Sequence, residues 1–143
     1  MSTMDNKLNT AWWALRISFG VVPFLAGLDK FFNLLTNWQM YINPSLARLL
    51  PVSGTTFMHV VGVIEMIVGL AILTRWTRLG SYVAMIWLTL IALTLVLGGM
   101  FLDVAVRDLV MAIGAYTLAQ LTEARQSVTE TQLGHAPQGV LAR

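Results

Sequence analysis

The chain has no cysteine, only two histidines, and charged residues at 11% of its length against 57% hydrophobic ones. The missing cysteines exclude disulfides, thiolate metal sites, iron–sulfur clusters and CxxC redox chemistry. With His59 in an apolar segment and His135 near the C-terminus, bis-histidine haem ligation within one chain is excluded too, and no metal site is expected. The nine basic and seven acidic residues are scattered, with no basic run of the kind that follows a phosphate backbone, so nucleic acid is not an expected partner.

What the chain has is apolar length. Four blocks, 11–35, 56–74, 79–101 and 102–121, are separated by polar punctuation, and a membrane crossing needs about 20 apolar residues for roughly 30 Å of hydrocarbon. In the last block the uncharged stretch from Leu109 to Leu121 is too short alone, so Arg107 and Asp108 must lie inside its end. Backbone in lipid must satisfy its own hydrogen bonds, which predicts an all-α, integral-membrane four-helix bundle. Residues 1–10 read as a polar N-terminus, and residues 122–143, rich in Gln, Thr and Gly, as a tail that is mobile unless a partner holds it.

The first block exceeds the core of a signal peptide and is expected to be retained. With four crossings, Lys7, Arg16, Arg75, Arg78, Arg125 and Arg143 fall on one side and Lys30, Arg48 and Arg107 on the other, six against three. That excess predicts an inner-membrane, multi-pass protein with both termini in the cytoplasm. The 36–55 connection contains Asn43-Pro44-Ser45, a cap followed by a first-turn proline, with Leu46, Leu49 and Leu50 on one face before Pro51 and Gly54. It predicts a short amphipathic helix lying on the outer surface as a lid between the first two spans.

At 100° per residue, Arg16, Gly20, Pro23, Gly27 and Lys30 fall within about 80° of one another. Gly62, Glu65 and Gly69 share a face of the second span; Gly80, Ala84, Trp87, Thr94 and Gly98 share one of the third; Arg107, Met111, Gly114 and Leu118 share one of the fourth. Gly20, Gly27, Gly62, Gly69, Gly98 and Gly114 are thus the expected helix-packing positions. Glu65 stands mid-span among apolar neighbours, where a carboxylate is costly unless protonated, paired or wetted. By depth, Lys30 or Arg107 can reach it. An ion pair that holds helix register and a ligand-polarising or proton-accepting carboxylate both fit. Trp87 is either core filler or a stacking wall for a ligand. Asp108 belongs to the same polar region, and His59 is more simply a packed, hydrogen-bonded residue than a ligand. Asp29, about 100° from Lys30, should turn toward the surface loop.

The segments RISFGVVPFLAGLDKF (16–31), NWQMYINP (37–44), VIEMIVGLAIL (63–73) and VRDLVMAIGAY (106–116) together resemble the DoxX family of small four-helix membrane proteins, over about Ala11 to Ala124. The resemblance implies the four-helix membrane fold and an outer-half polar cluster of Lys30, Glu65 and Arg107 beneath a surface lid. It also implies association with thiosulfate:quinone oxidoreductase or other membrane redox systems. The expected role is an accessory or binding subunit with no redox centre of its own, rather than an enzyme. Its candidate ligands are a quinone or a bound lipid, and its expected partners are membrane lipids and other membrane subunits or a second copy of itself. A catalytic subunit of the thiosulfate:quinone class and a small proton- or ion-coupled transporter are the alternatives; the lack of an internal repeat weighs against the transporter.

Overall fold

The computed structural model describes residues 3–134, with side chains from 6 to 128. Four long helices, α1 (Thr3–Asp29), α3 (Gly54–Leu73), α4 (Thr77–Gly98) and α5 (Leu102–Gly134), form the bundle, and a short helix α2 (Pro44–Leu49) follows a 3-10 turn at Trp38–Tyr41. No strand occurs among the described residues. By length and composition, three of the helices can cross a membrane, over Asn6–Asp29, Gly54–Leu73 and Thr77–Gly98. Their outer faces carry exposed Val60, Ile67, Leu79, Ile86 and Leu90. An apolar exterior of this kind is what lipid rather than water stabilises. The chain is a helical membrane bundle.

Helices α1 and α3 pack closely as one pair, α4 and α5 as another, and the two pairs meet along a looser seam. Small residues set the first pair. A Cβ on Gly62 would stand 2.5 Å from the Gly27 carbonyl oxygen, and one on Gly69 equally close to the Gly20 carbonyl oxygen. Only glycine allows that backbone approach. In the second pair a stripe of Ala105, Ala112, Ala115 and Ala119 is buried on α5.

Three of the expected packing glycines would meet a side chain rather than a helix backbone, Gly20 among them against Leu73. Gly98 faces the Asn43 side chain on the lid, and Gly114 faces the Phe19 ring. The inward face of α5 also differs from the expected one. It follows the alanines through Asp108 and Leu118 and leaves Arg107 outside, because the expected face carries the bulk of Arg107 and Met111 where the alanine stripe has small side chains.

The connections are fixed by local chemistry. Asn43 caps α2 by accepting from the Ser45 N–H at 2.8 Å, with Pro44 at its first position. Ser53 caps α3 through the Thr56 N–H. Gly99, at φ +63°, ends α4 in the left-handed conformation that glycine adopts without strain. Helix α1 begins at Thr3, within the expected polar N-terminus, and α5 runs from Leu102 to Gly134, so the first part of the expected polar tail is helical. His135, and the rest of the expected tail beyond it, lie outside the described residues.

Candidate functional site

Lys30 ends the inward stripe of α1, and Glu65 lies on the face of α3 that the glycine contacts press against it. The Lys30 Nζ donates to Glu65 Oε2 at 2.6 Å, with only 4% of the lysine and 12% of the glutamate side chain exposed. A desolvated pair of this kind stands only when the partners and further polar groups compensate the lost hydration. The lid provides one such group: the Trp38 ring sits over the ammonium at 3.7 Å. Its own Nε1–H donates to Asp29 Oδ2 at 2.8 Å.

Asp29 orders the lid. Besides Trp38 it accepts from the backbone N–H groups of Leu34 and Leu35. Asn33, at φ +53°, turns the chain back in the left-handed conformation that asparagine tolerates, and its side chain accepts from the Trp38 N–H. The backbone carboxylate contacts and the indole bond therefore place an aromatic face directly above the buried cation.

The expected cluster divides differently from the sequence reading. Arg107 is 67% exposed, and its nearest carboxylate is its neighbour Asp108 at 3.9 Å, so it does not pair with Glu65. Adjacent helix positions point 100° apart, and the buried phase of α5 goes to Asp108. Asp108 is buried and lies near enough to Lys30 and Glu65 for their charges to act on it. His59 stacks on Phe31, with ring centroids 4.6 Å apart and planes within 10°, one turn from the lid end of α3.

Trp87 reaches the site from α4. It lines, with Glu65, a cavity of about 50 Å3 in the seam between the helix pairs, walled by Phe19, Pro23, Val68 and Met111. Its Nε1–H feels the Glu65 carboxylate but meets it outside hydrogen-bond geometry, and among the described residues it is the buried side-chain polar atom left without a partner. Among the described residues no group of three or more histidine and carboxylate side chains converges as for a metal ion.

A second polar centre at the opposite end was not singled out from the sequence. Arg16 donates from Nε to the Ile72 carbonyl at 3.0 Å and from Nη2 to the carbonyls of Leu73 and Thr74. Thr77 Oγ1 donates to the carbonyls of Ile72 and Thr74, and Trp12 Nε1 to Thr122 Oγ1 at 2.8 Å. The available signal was the end of α3 itself: Thr74-Arg75-Trp76 contains no glycine or asparagine to close the helix, so its last carbonyls require donors from elsewhere.

Comparison with curated proteins and with solved structures finds no match. The DoxX family model matches residues 11–98, which hold Lys30, the lid, Glu65 and Trp87 and leave α5 outside. With more than half its length matched, the chain belongs to the DoxX family.

Proposed function

We propose that the chain is a ligand-binding accessory subunit of a membrane electron-transfer system, and that it takes the carbonyl oxygen of a quinone at the seam between its helix pairs. The observation that carries this reading is the buried, unpartnered Trp87 Nε1–H beside the Glu65 carboxylate. A buried donor without an acceptor costs about 1–3 kcal/mol, and an entering carbonyl would relieve that cost. Lys30 engages Glu65 Oε2, and the indole N–H, which meets the carboxylate outside hydrogen-bond geometry, is left to a ligand.

A cavity of about 50 Å3 takes a carbonyl group or a water, not a ring. The quinone ring would therefore lie outside that cavity, on the apolar exterior of the seam beside exposed Val22 at its rim. The chain has no thiolate, and its second histidine lies at residue 135, so in this reading electrons pass through a partner subunit. The buried charges serve to position, and the apolar seam to admit a lipid-soluble ligand.

Photolabelling of the purified protein with an azidoquinone tests the reading. Label on α4 around Trp87, reduced about fivefold in Trp87→Phe, which keeps the ring and removes the donor, is the expected result. Label that is indifferent to this change would contradict it. Stoichiometric copurification of other subunits in mild detergent is expected for the accessory role, whereas thiosulfate-dependent quinone reduction by the isolated chain would make it a catalytic subunit.

The proposed setting is a cytoplasmic-type inner membrane crossed four times, α5 included, with both termini in the cytoplasm and the lid outside. The six-to-three distribution of basic residues supports this orientation. Since the chain has no cysteine background, a Ser45→Cys variant should react with an impermeant maleimide added from outside; reaction from the cytoplasmic side alone would reverse the orientation.

A further inference from the structure

Between the end of α1 and the lid the chain leaves its helix but keeps its hydrogen bonds. Phe32, Leu34 and Leu35 project from this irregular turn, Leu34 83% and Leu35 72% exposed. No charged residue occurs between Lys30 and Arg48. Three large apolar side chains on so short a segment form a patch rather than scattered surface residues, and such a patch marks a contact with something other than water.

The backbone of the same segment is satisfied from within. The N–H groups of Lys30 and Phe31 donate to the carbonyls of Ala26 and Leu28, and those of Phe32 and Asn33 both to the Asp29 carbonyl. The N–H groups of Leu34 and Leu35 donate to the Asp29 carboxylate. The six successive donors from Lys30 to Leu35 therefore need nothing from their surroundings. Water serves the donors of an exposed turn without help from the chain, whereas in hydrocarbon each unmet donor is costly and irregular backbone must be satisfied by the protein itself. The turn meets the requirement of an apolar medium.

We propose that the 32–35 turn is a lipid-insertion tip, with Phe32, Leu34 and Leu35 seated in the acyl chains just below the headgroups of the lid-side leaflet. Continuity favours lipid as the occupant: the apolar exterior of α1, on which Leu25 and Leu28 are exposed, runs directly into the tip. The depth is shallow, since Asn33 is exposed among the apolar residues and its amide can meet headgroups there. Asp29 ties the tip to the lid. The carboxylate that takes the Leu34 and Leu35 amides also accepts from the Trp38 indole, whose ring covers Lys30. The bilayer thus bears on the closure of the enclosed end, whatever ligand the seam takes.

The lack of cysteine allows single-site spin labels on the full chain. Leu34→Cys, Leu35→Cys and, on the exposed side of the lid helix, Ser45→Cys are labelled and reconstituted in vesicles of dioleoylphosphatidylcholine and dioleoylphosphatidylglycerol. Power saturation then compares collision with oxygen, which concentrates in acyl chains, and with a nickel chelate, which stays in water. The labels at 34 and 35 are expected to meet oxygen several-fold more, and the chelate several-fold less, than the label at 45. Chelate access at 34 and 35 equal to that at 45 would put the tip in water and overturn the proposal. Poor access to both reagents would place a second copy of the chain over the tip and overturn lipid as its occupant. Adding Asp29→Asn to the Leu35→Cys variant should raise chelate access at 35, and an unchanged value would overturn the part assigned to Asp29.

Discussion

The two ends of the bundle carry opposite charge arrangements and handle them in opposite ways. Beneath the lid, one buried ammonium, Lys30, stands among the carboxylates of Asp29, Glu65 and Asp108, closed over by Trp38. At the other end Arg16, Arg75 and Arg125 line a pocket that stays open. Burial explains the difference. A charge inside the bundle must find its partner in the chain, since stranding it costs several kcal/mol, whereas an interfacial charge can leave neutralisation to water, ions or headgroups. The enclosed end is thus organised by internal pairs, with Trp87 Nε1 the buried donor left without a partner among the described residues, and the open end by arginines that line a pocket open to its surroundings.

Breaking the enclosed end should have the larger effect. Lys30→Met strands Glu65 and should lower stability by about 3–5 kcal/mol in detergent unfolding titrations. The corresponding loss at the glycine contact is smaller: Gly62→Ala forces a methyl against the Gly27 carbonyl and should cost about 1–3 kcal/mol, read in the same titration. Trp38→Phe keeps an aromatic face over Lys30 and gives up the bond to Asp29, so its loss should be less than that of Gly62→Ala, with the main change a faster hydrogen exchange of the Leu34 and Leu35 amides. Arg107→Gln should change stability by less than about 0.5 kcal/mol, because the side chain is exposed and its contact with Asp108 is long. A loss as large as that of Lys30→Met would return Arg107 to the buried cluster.

Much of the enclosed end was legible from residue spacing. Depth along α1 and α3 brought Lys30 within reach of Glu65, and Asn43-Pro44 marked the start of the lid helix. The face of α5 was not, because glycine and alanine stripes lie one position apart there and a one-residue change of phase exchanges Arg107 for Asp108. The Trp38 contact depends on the reversal at Asn33, a backbone conformation that no periodicity encodes. The Arg16 clamp joins positions more than fifty residues apart and shows in sequence only as a helix end without its own cap. Local signals register caps and faces; they do not register which distant carbonyls an arginine will find.

The central claim is that Lys30 and Glu65 hold each other, and a double-mutant cycle of Lys30→Met and Glu65→Leu tests it most directly. Each single change should destabilise the bundle by about 3–5 kcal/mol, while the double variant, with both charges replaced by apolar groups, should return close to the parent and give a coupling energy above about 2 kcal/mol. Single effects that simply add, within about 0.5 kcal/mol, would contradict it.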